Sequence, residues 1–231
     1  HYCTRTKSPE ALAALTRRML AISRRYFGVE GPESINLGGG FFGNMDASLR
    51  EQFPFPVASF GEYAAAIAGL WAKAFPRGSG PELILEPGYA LVGDAMQYCA
   101  KVLDVRAAGR RRLALVAGTI YDIKPTLNTK NLPLRVMGRT GRRRSSGSGV
   151  PVDIVGYTCM EQDILYRSYR GDLAPRDYVV FDNVGAYTTV LAPSFMRPRP
   201  AVVSLDAGTG RPEIVKRRES EKEVLASYVV E

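Results

Sequence analysis

Two short stretches of this 231-residue chain carry residue types and spacings that could do chemistry. The first is Gly38-Gly39-Gly40, which follows the run "SINL" and precedes Phe41 and Phe42. Glycines let backbone N–H groups approach an anion closely, and phosphate is the usual guest. The same run also reads as a flexible loop. The second is Glu86-Pro87-Gly88, a carboxylate closing the apolar run "ELILEPG". Other chemistries are poorly supplied. His1 is the single histidine, and Cys3, Cys99 and Cys159 lack metal-ligand spacing. That argues against a histidine-rich zinc site and against a Ser-His-Asp triad. An enzyme with this inventory needs a cofactor to carry the hard chemistry.

Both stretches need elements to position them. The pattern "SPEALAALTRRMLAISRRYF" predicts a helix over residues 8–27, with Ser8 as cap, Pro9 in the first turn and an apolar stripe. "SFGEYAAAIAGLWAKAF" predicts a second helix over 59–75, capped by Ser59. "ESINLGGG" and "ELILEPG" read as short strands, and "YALVGDAMQYCAKVLDV" as a third helix grading into a strand. Alternating helix and strand over residues 1–102 is the signature of parallel α/β structure, whose functional residues gather at the carboxyl ends of the strands. From residue 103 to 231 the texture changes to β-branched, aromatic, alternating runs separated by turns. That predicts an antiparallel β domain, a sandwich or barrel.

Composition sets outer bounds. Hydrophobic residues make up 45% of the chain, enough for a real core, and no apolar run reaches the length of a membrane span. Three cysteines argue against a secreted disulfide scaffold and favour a reducing cytoplasm. The formal net charge is +8, concentrated at Arg110–Arg112 and Arg139–Arg144, the latter running into "SSGSG". This reads as a mobile, solvated loop; no interleaved aromatics or known motif point to nucleic acid.

Taken in order, "HYCT", "NLGGGF", "EPGY", "GYTCMEQD" and "FDNVGAYT" form a series that resembles the fold-type III pyridoxal-phosphate decarboxylases, the group of ornithine, arginine and diaminopimelate decarboxylases. The resemblance runs from His1 to about residue 200. It implies the C-terminal part of a (β/α)8 barrel followed by a β domain, pyridoxal 5'-phosphate as cofactor, and dimers with shared active sites. It assigns His1 to stacking on the pyridine ring and Thr4 to the phosphate, although Cys3 and Thr4 replace the family's Gly and Ser. Gly38, Gly39 and Gly40 become the phosphate cradle. Glu86 pairs with the pyridine nitrogen, and Gly88 and Tyr89 follow it at the cofactor. Cys159 reprotonates the carbanion left by CO2 loss, reaching into a partner's site, and Tyr187 lies near phosphate and ring. Without the resemblance, Cys159 is by default a small buried hydrophobe and Tyr187 a core or interface aromatic.

The resemblance also defines what is missing. The family's Schiff-base lysine lies on the first barrel strand; Lys7, Lys73, Lys101, Lys124 and Lys130 are not in that context. About three strands of an eight-stranded barrel leave open edges. The expectation is a separate chain or fragment carrying the N-terminal barrel half and that lysine, from a split gene or a cleaved precursor. The substrate positions depart from the family as well. Tyr89 stands where an arginine is usual, and in "KPTLN" Lys124 replaces a second arginine and Asn128 a tyrosine. Lysine does not reproduce a bidentate arginine clamp. Glu161 and Asp163 could meet a substrate amine. The expected activity is decarboxylation of a non-standard or modified amino acid. The rivals are a catalytically inactive relative that binds another protein, a racemase or epimerase on the same cofactor, and a nucleic-acid-binding β domain.

Overall fold

The structure, a computed structural model, describes residues 7–76, 79–127, 129–145 and 150–229. Helix α1 (Pro9–Phe27) begins where its cap predicts: the Ala11 N–H donates to Ser8 Oγ at 3.3 Å. Strand β1 (Ser34–Gly39) follows, then the one-turn helix α2 (Ala47–Arg50). Helix α3 (Phe60–Ala74) opens on a capping box in which Ser59 and Glu62 satisfy each other's backbone N–H groups. Strand β2 (Glu82–Glu86) pairs with β1 in parallel, Ser34 opposite Glu82 and Gly39 opposite Glu86. Leu12, Leu15, Ile35, Leu37, Tyr63 and Ile67 bury the inner faces of α1, β1 and α3 in one core.

The predicted third helix is much shorter than its pattern. Only α4 (Gly88–Val92) forms, and β3 (Tyr98–Ala108) takes over the rest. The β-branched and aromatic tail of the segment finds sheet partners, which outweigh a weak helical preference. Strand β3 starts a six-stranded sheet with β4 (Arg111–Val116), β5 (Leu134–Met137), β6 (Val152–Val155), β7 (Ile164–Tyr169) and β8 (Tyr178–Phe181), ordered β5-β8-β3-β4-β6-β7. The expected antiparallel domain is therefore a mixed sheet: β4 and β6 run parallel, Leu113 opposite Asp153. Alternation along a strand reports which face is buried, not the direction of its neighbour, so this pairing is invisible in the sequence. Val102, Val116, Ile154, Leu165, Val179 and Phe181 are fully buried in the sheet's own core. Beyond the sheet lie α5 (Thr188–Leu191), the hairpin β9 (Val202–Leu205) and β10 (Pro212–Lys216), and α6 (Glu221–Val224).

The Arg139–Arg144 cluster is partly tied down rather than loose. The Gly138 N–H donates to Arg142 O at 2.7 Å, and the Arg144 guanidinium pairs at 2.8 Å with Asp177, which is buried. No described helix is long and apolar enough to cross a membrane.

Leu49 and Gly185 are among the residues that join the α/β part to the sheet. Leu49 of α2 is fully buried in the sheet core. Gly185, after β8, lies on the end of α4: its N–H donates to Gly93 O at 3.0 Å, and a Cβ there would meet Val92 O at 1.7 Å. Gly185→Ala is therefore expected to separate the corner from α4 and cost about 3 kcal/mol or more of unfolding free energy, measured by urea denaturation. An unchanged midpoint would show that the corner does not need this approach.

Candidate active site

The parallel register of β1 and β2 sets the glycine run beside Glu86. Gly38 and Gly40 have left-handed backbones, φ +72° and +96°, which glycine adopts without strain. A Cβ on Gly39 would come within 2.4 Å of the Glu86 carbonyl oxygen, so only glycine fits there. Asn36, which sequence reasoning passed over, links the two parts. Its Nδ2 donates to Glu86 Oε1 at 2.6 Å, while its Oδ1 accepts the Gly38 N–H at 2.7 Å. Glu86 Oε2 has no hydrogen-bond partner among the described residues. A sequence signal for Asn36 exists: Asn two residues before Gly is the pattern of a side chain bonding its own backbone turn.

The turn is held in place. Phe41 meets the Tyr63 ring edge-on at 5.3 Å, and Phe42 packs on Phe53 at 4.8 Å and on Tyr89 at 6.0 Å. Both phenylalanines are buried, which decides against a flexible loop. Gly88 is exposed and opens α4. Tyr89 points inward: its buried hydroxyl has no partner among the described residues, and burial pushes it up to about 12.

A second group forms around Asp163. This carboxylate is 3% exposed and accepts four hydrogen bonds, from Thr119 Oγ1 at 3.0 Å, Ile120 N at 2.7 Å, Thr158 N at 3.0 Å and Thr158 Oγ1 at 2.7 Å. Its oxygens are engaged by protein, so Asp163 braces the Cys159 loop in this chain rather than facing a substrate amine. Cys159 and Glu161 are exposed beside it. Tyr187 is half exposed with φ +66° at the start of α5, on the corner that Gly185 fastens to α4. A left-handed tyrosine is a strained conformation that the surroundings must impose.

Lys124 lies elsewhere. It is 3% exposed, and its ammonium donates to the Lys130 carbonyl. Burial first, and the Arg167 charge second, push it down to about 7. His1, Thr4 and Asn128 lie outside the described residues. The structure thus brings Gly38–Gly40 and Glu86 together. No hydrogen bond, ion pair or ring contact among the described residues joins the Cys159 loop to them.

This geometry can be set against known proteins. Residues 18–185 match the family model of the pyridoxal-dependent decarboxylase C-terminal sheet domain. The chain belongs to the pyridoxal-dependent decarboxylase family. It is 30% identical over 227 residues to the diaminopimelate decarboxylase of Mycobacterium tuberculosis, covering 92% of this chain and 48% of the relative. The diaminopimelate decarboxylase of Actinosynnema pretiosum is 30% identical over 201 residues, 85% of this chain and 43% of that protein. The crystal structure of diaminopimelate decarboxylase from M. jannaschii in co-complex with L-lysine superposes with a TM-score of 0.75 at 20% identity, covering all of this chain and 51% of that one. The chain spans about half the length of the curated relatives it matches. Its residues fit the family's cofactor on structural grounds: Gly38 and Gly40 form a left-handed turn beside Glu86, whose Oε2 has no hydrogen-bond partner among the described residues.

Two measurements check these placements. Asp163→Ala leaves the buried Ile120 N–H and the half-buried Thr158 N–H unpaired and is expected to cost about 3 kcal/mol, with faster amide exchange at residues 157–163. Unchanged exchange would remove the bracing role. For Lys124, the unfolded chain binds more protons than the native one between about 7 and 10.5, so its penalty is full below pH 7 and disappears as pH rises through that window. Lys124→Met is expected to gain stability over the parent most strongly below pH 7 and progressively less toward pH 10 (approximate, from linkage). A gain independent of pH would count against the buried ammonium.

Proposed function

We propose that this chain supplies one half of the active site of a pyridoxal 5'-phosphate-dependent amino-acid decarboxylase. The observation that carries the reading is the register of Gly39 opposite Glu86, with Asn36 fixing one carboxylate oxygen while the other has no partner among the described residues. In this reading Gly38, Gly39 and Gly40 hold the phosphate and Glu86 Oε2 faces the pyridine nitrogen. His1, Thr4, Gly88, Tyr89 and Tyr187 complete the cofactor's surroundings. The cofactor, when bound, supplies the electron sink for the pair released when the bond to the substrate carboxylate breaks. Glu86 keeps the ring nitrogen protonated through its negative charge. Cys159 gives its thiol proton to the carbon that has lost CO2.

Completion by further polypeptide supports the same reading. In β2, Ile84 and Leu85 are 36% and 40% exposed, unusual for a parallel strand, which is normally covered on both faces. An apolar groove of about 270 Å³ beside it is lined by Phe60, Tyr63, Ile67, Leu83 and Leu85. A segment carrying the remaining barrel and the Schiff-base lysine would cover both. Pairs of such assemblies would let the exposed Cys159 of one copy serve the site of the other. The substrate is an amino acid whose distal end meets neither of the usual arginines. Tyr89 is neutral, and Lys124 is turned into the protein.

Borohydride reduction of the complete enzyme followed by peptide mapping is expected to label a lysine outside this sequence. Cys159→Ala is expected to slow formation of the decarboxylated amine from the cognate amino acid about a hundredfold while leaving cofactor absorbance intact. A label on a lysine of this chain, or none at all, would overturn the reading.

A further inference from the structure

The glycine turn has a neighbour that no motif singled out. The Lys7 side chain lies flat across Gly40: a Cβ on that glycine would be 2.5 Å from Lys7 Nζ, 2.8 Å from Cδ and 2.9 Å from Cε. This placement is built into the fold. The Tyr63 hydroxyl donates to the Lys7 carbonyl at 2.7 Å and accepts the Phe42 N–H at 3.5 Å, so one tyrosine holds both the lysine backbone and the chain leaving the turn. The next residue, Ser8, caps α1 and anchors the segment from the other side. Lys7 Nζ makes no hydrogen bond or ion pair with any described residue. Its ammonium therefore lies on a left-handed glycine turn with no anion among the described residues to meet.

We propose that Lys7 is the cation of the phosphate subsite, pairing with the cofactor's phosphate monoester where it rests on Gly38–Gly40. The assignment rests on the reading of those glycines as a phosphate cradle. Glycine N–H groups give directional hydrogen bonds but only partial charge, while a phosphate monoester carries close to two negative charges. A full positive charge beside the turn complements them. Tyr89, next to Glu86-Pro87-Gly88, is neutral with a buried hydroxyl and offers no such charge. Gly40 then has two roles: its left-handed backbone shapes the turn, and its missing side chain leaves room for the lysine.

The test compares pyridoxal 5'-phosphate with pyridoxal, which lacks the phosphate, binding to the cofactor-free form of the complete enzyme. The parent is expected to prefer the phosphorylated ligand. Lys7→Ala should lose roughly ten- to hundredfold of that preference, the worth of one charge-assisted contact, with little change for pyridoxal. Lys7→Arg should keep most of it. The salt dependence of pyridoxal 5'-phosphate binding should become shallower in Lys7→Ala than in Lys7→Arg. If Lys7→Ala keeps the full preference, or weakens both ligands equally, the assignment to Lys7 is wrong while the cradle stands. If the parent itself does not distinguish the two ligands, the cradle reading fails, and the Lys7 proposal with it.

Discussion

The parallel pairing of β1 with β2 is the constraint on which the candidate site depends. It puts Gly39 opposite Glu86, so an anion-binding turn and a carboxylate end up at the same edge of the structure. A shift of one residue would turn the Glu86 side chain to the other face of the sheet. Asn36 then uses both ends of its amide, accepting from Gly38 and donating to Glu86, which ties the backbone of one strand to the side chain of the next. Glycine at position 39 is required by the same closeness, because the Glu86 carbonyl occupies the space a side chain would need.

The rest of the chain serves this edge by holding loops against it. Phe41, Phe42 and Tyr63 bury the exit of the glycine turn. The sheet joins it through Leu49, through the Gly185 corner seated on α4, and through Gln52, which donates to Asn131 O at 2.7 Å and accepts the Asn131 N–H at 2.8 Å. Asp163 has a comparable task in the sheet. Its four hydrogen bonds gather residues 119, 120 and 158 around one buried carboxylate and leave Cys159 at the surface. The opposite condition holds at β2, where Ile84 and Leu85 stay exposed beside an apolar groove, a surface suited to burial against more polypeptide.

Much of this is legible in the amino-acid sequence. Ser8 with Pro9, and Ser59 with Glu62, mark helix starts because capping is a local matter between residues three apart. The glycine run and the Glu86 strand end are legible for the same reason, and the order of five motifs points to the family that the matched residues 18–185 support. The direction of β4 against β6 is not legible, nor is the early start of β3 at Tyr98. Both depend on partners far away in the chain.

The sequence by itself determined the local elements, the glycine turn and the family, since each rests on neighbours within a few residues or on motifs in order. Only the tertiary structure decided what individual side chains do. Asp163 and Lys124 read as substrate contacts from their positions in motifs, yet packing buries both and engages them with protein. Asn36 and Lys7 read as ordinary polar residues, yet folding brings them to Glu86 and Gly40, fifty and thirty-three positions away. A side chain's role follows from what surrounds it, and those surroundings come from strand register and burial rather than from adjacency along the chain.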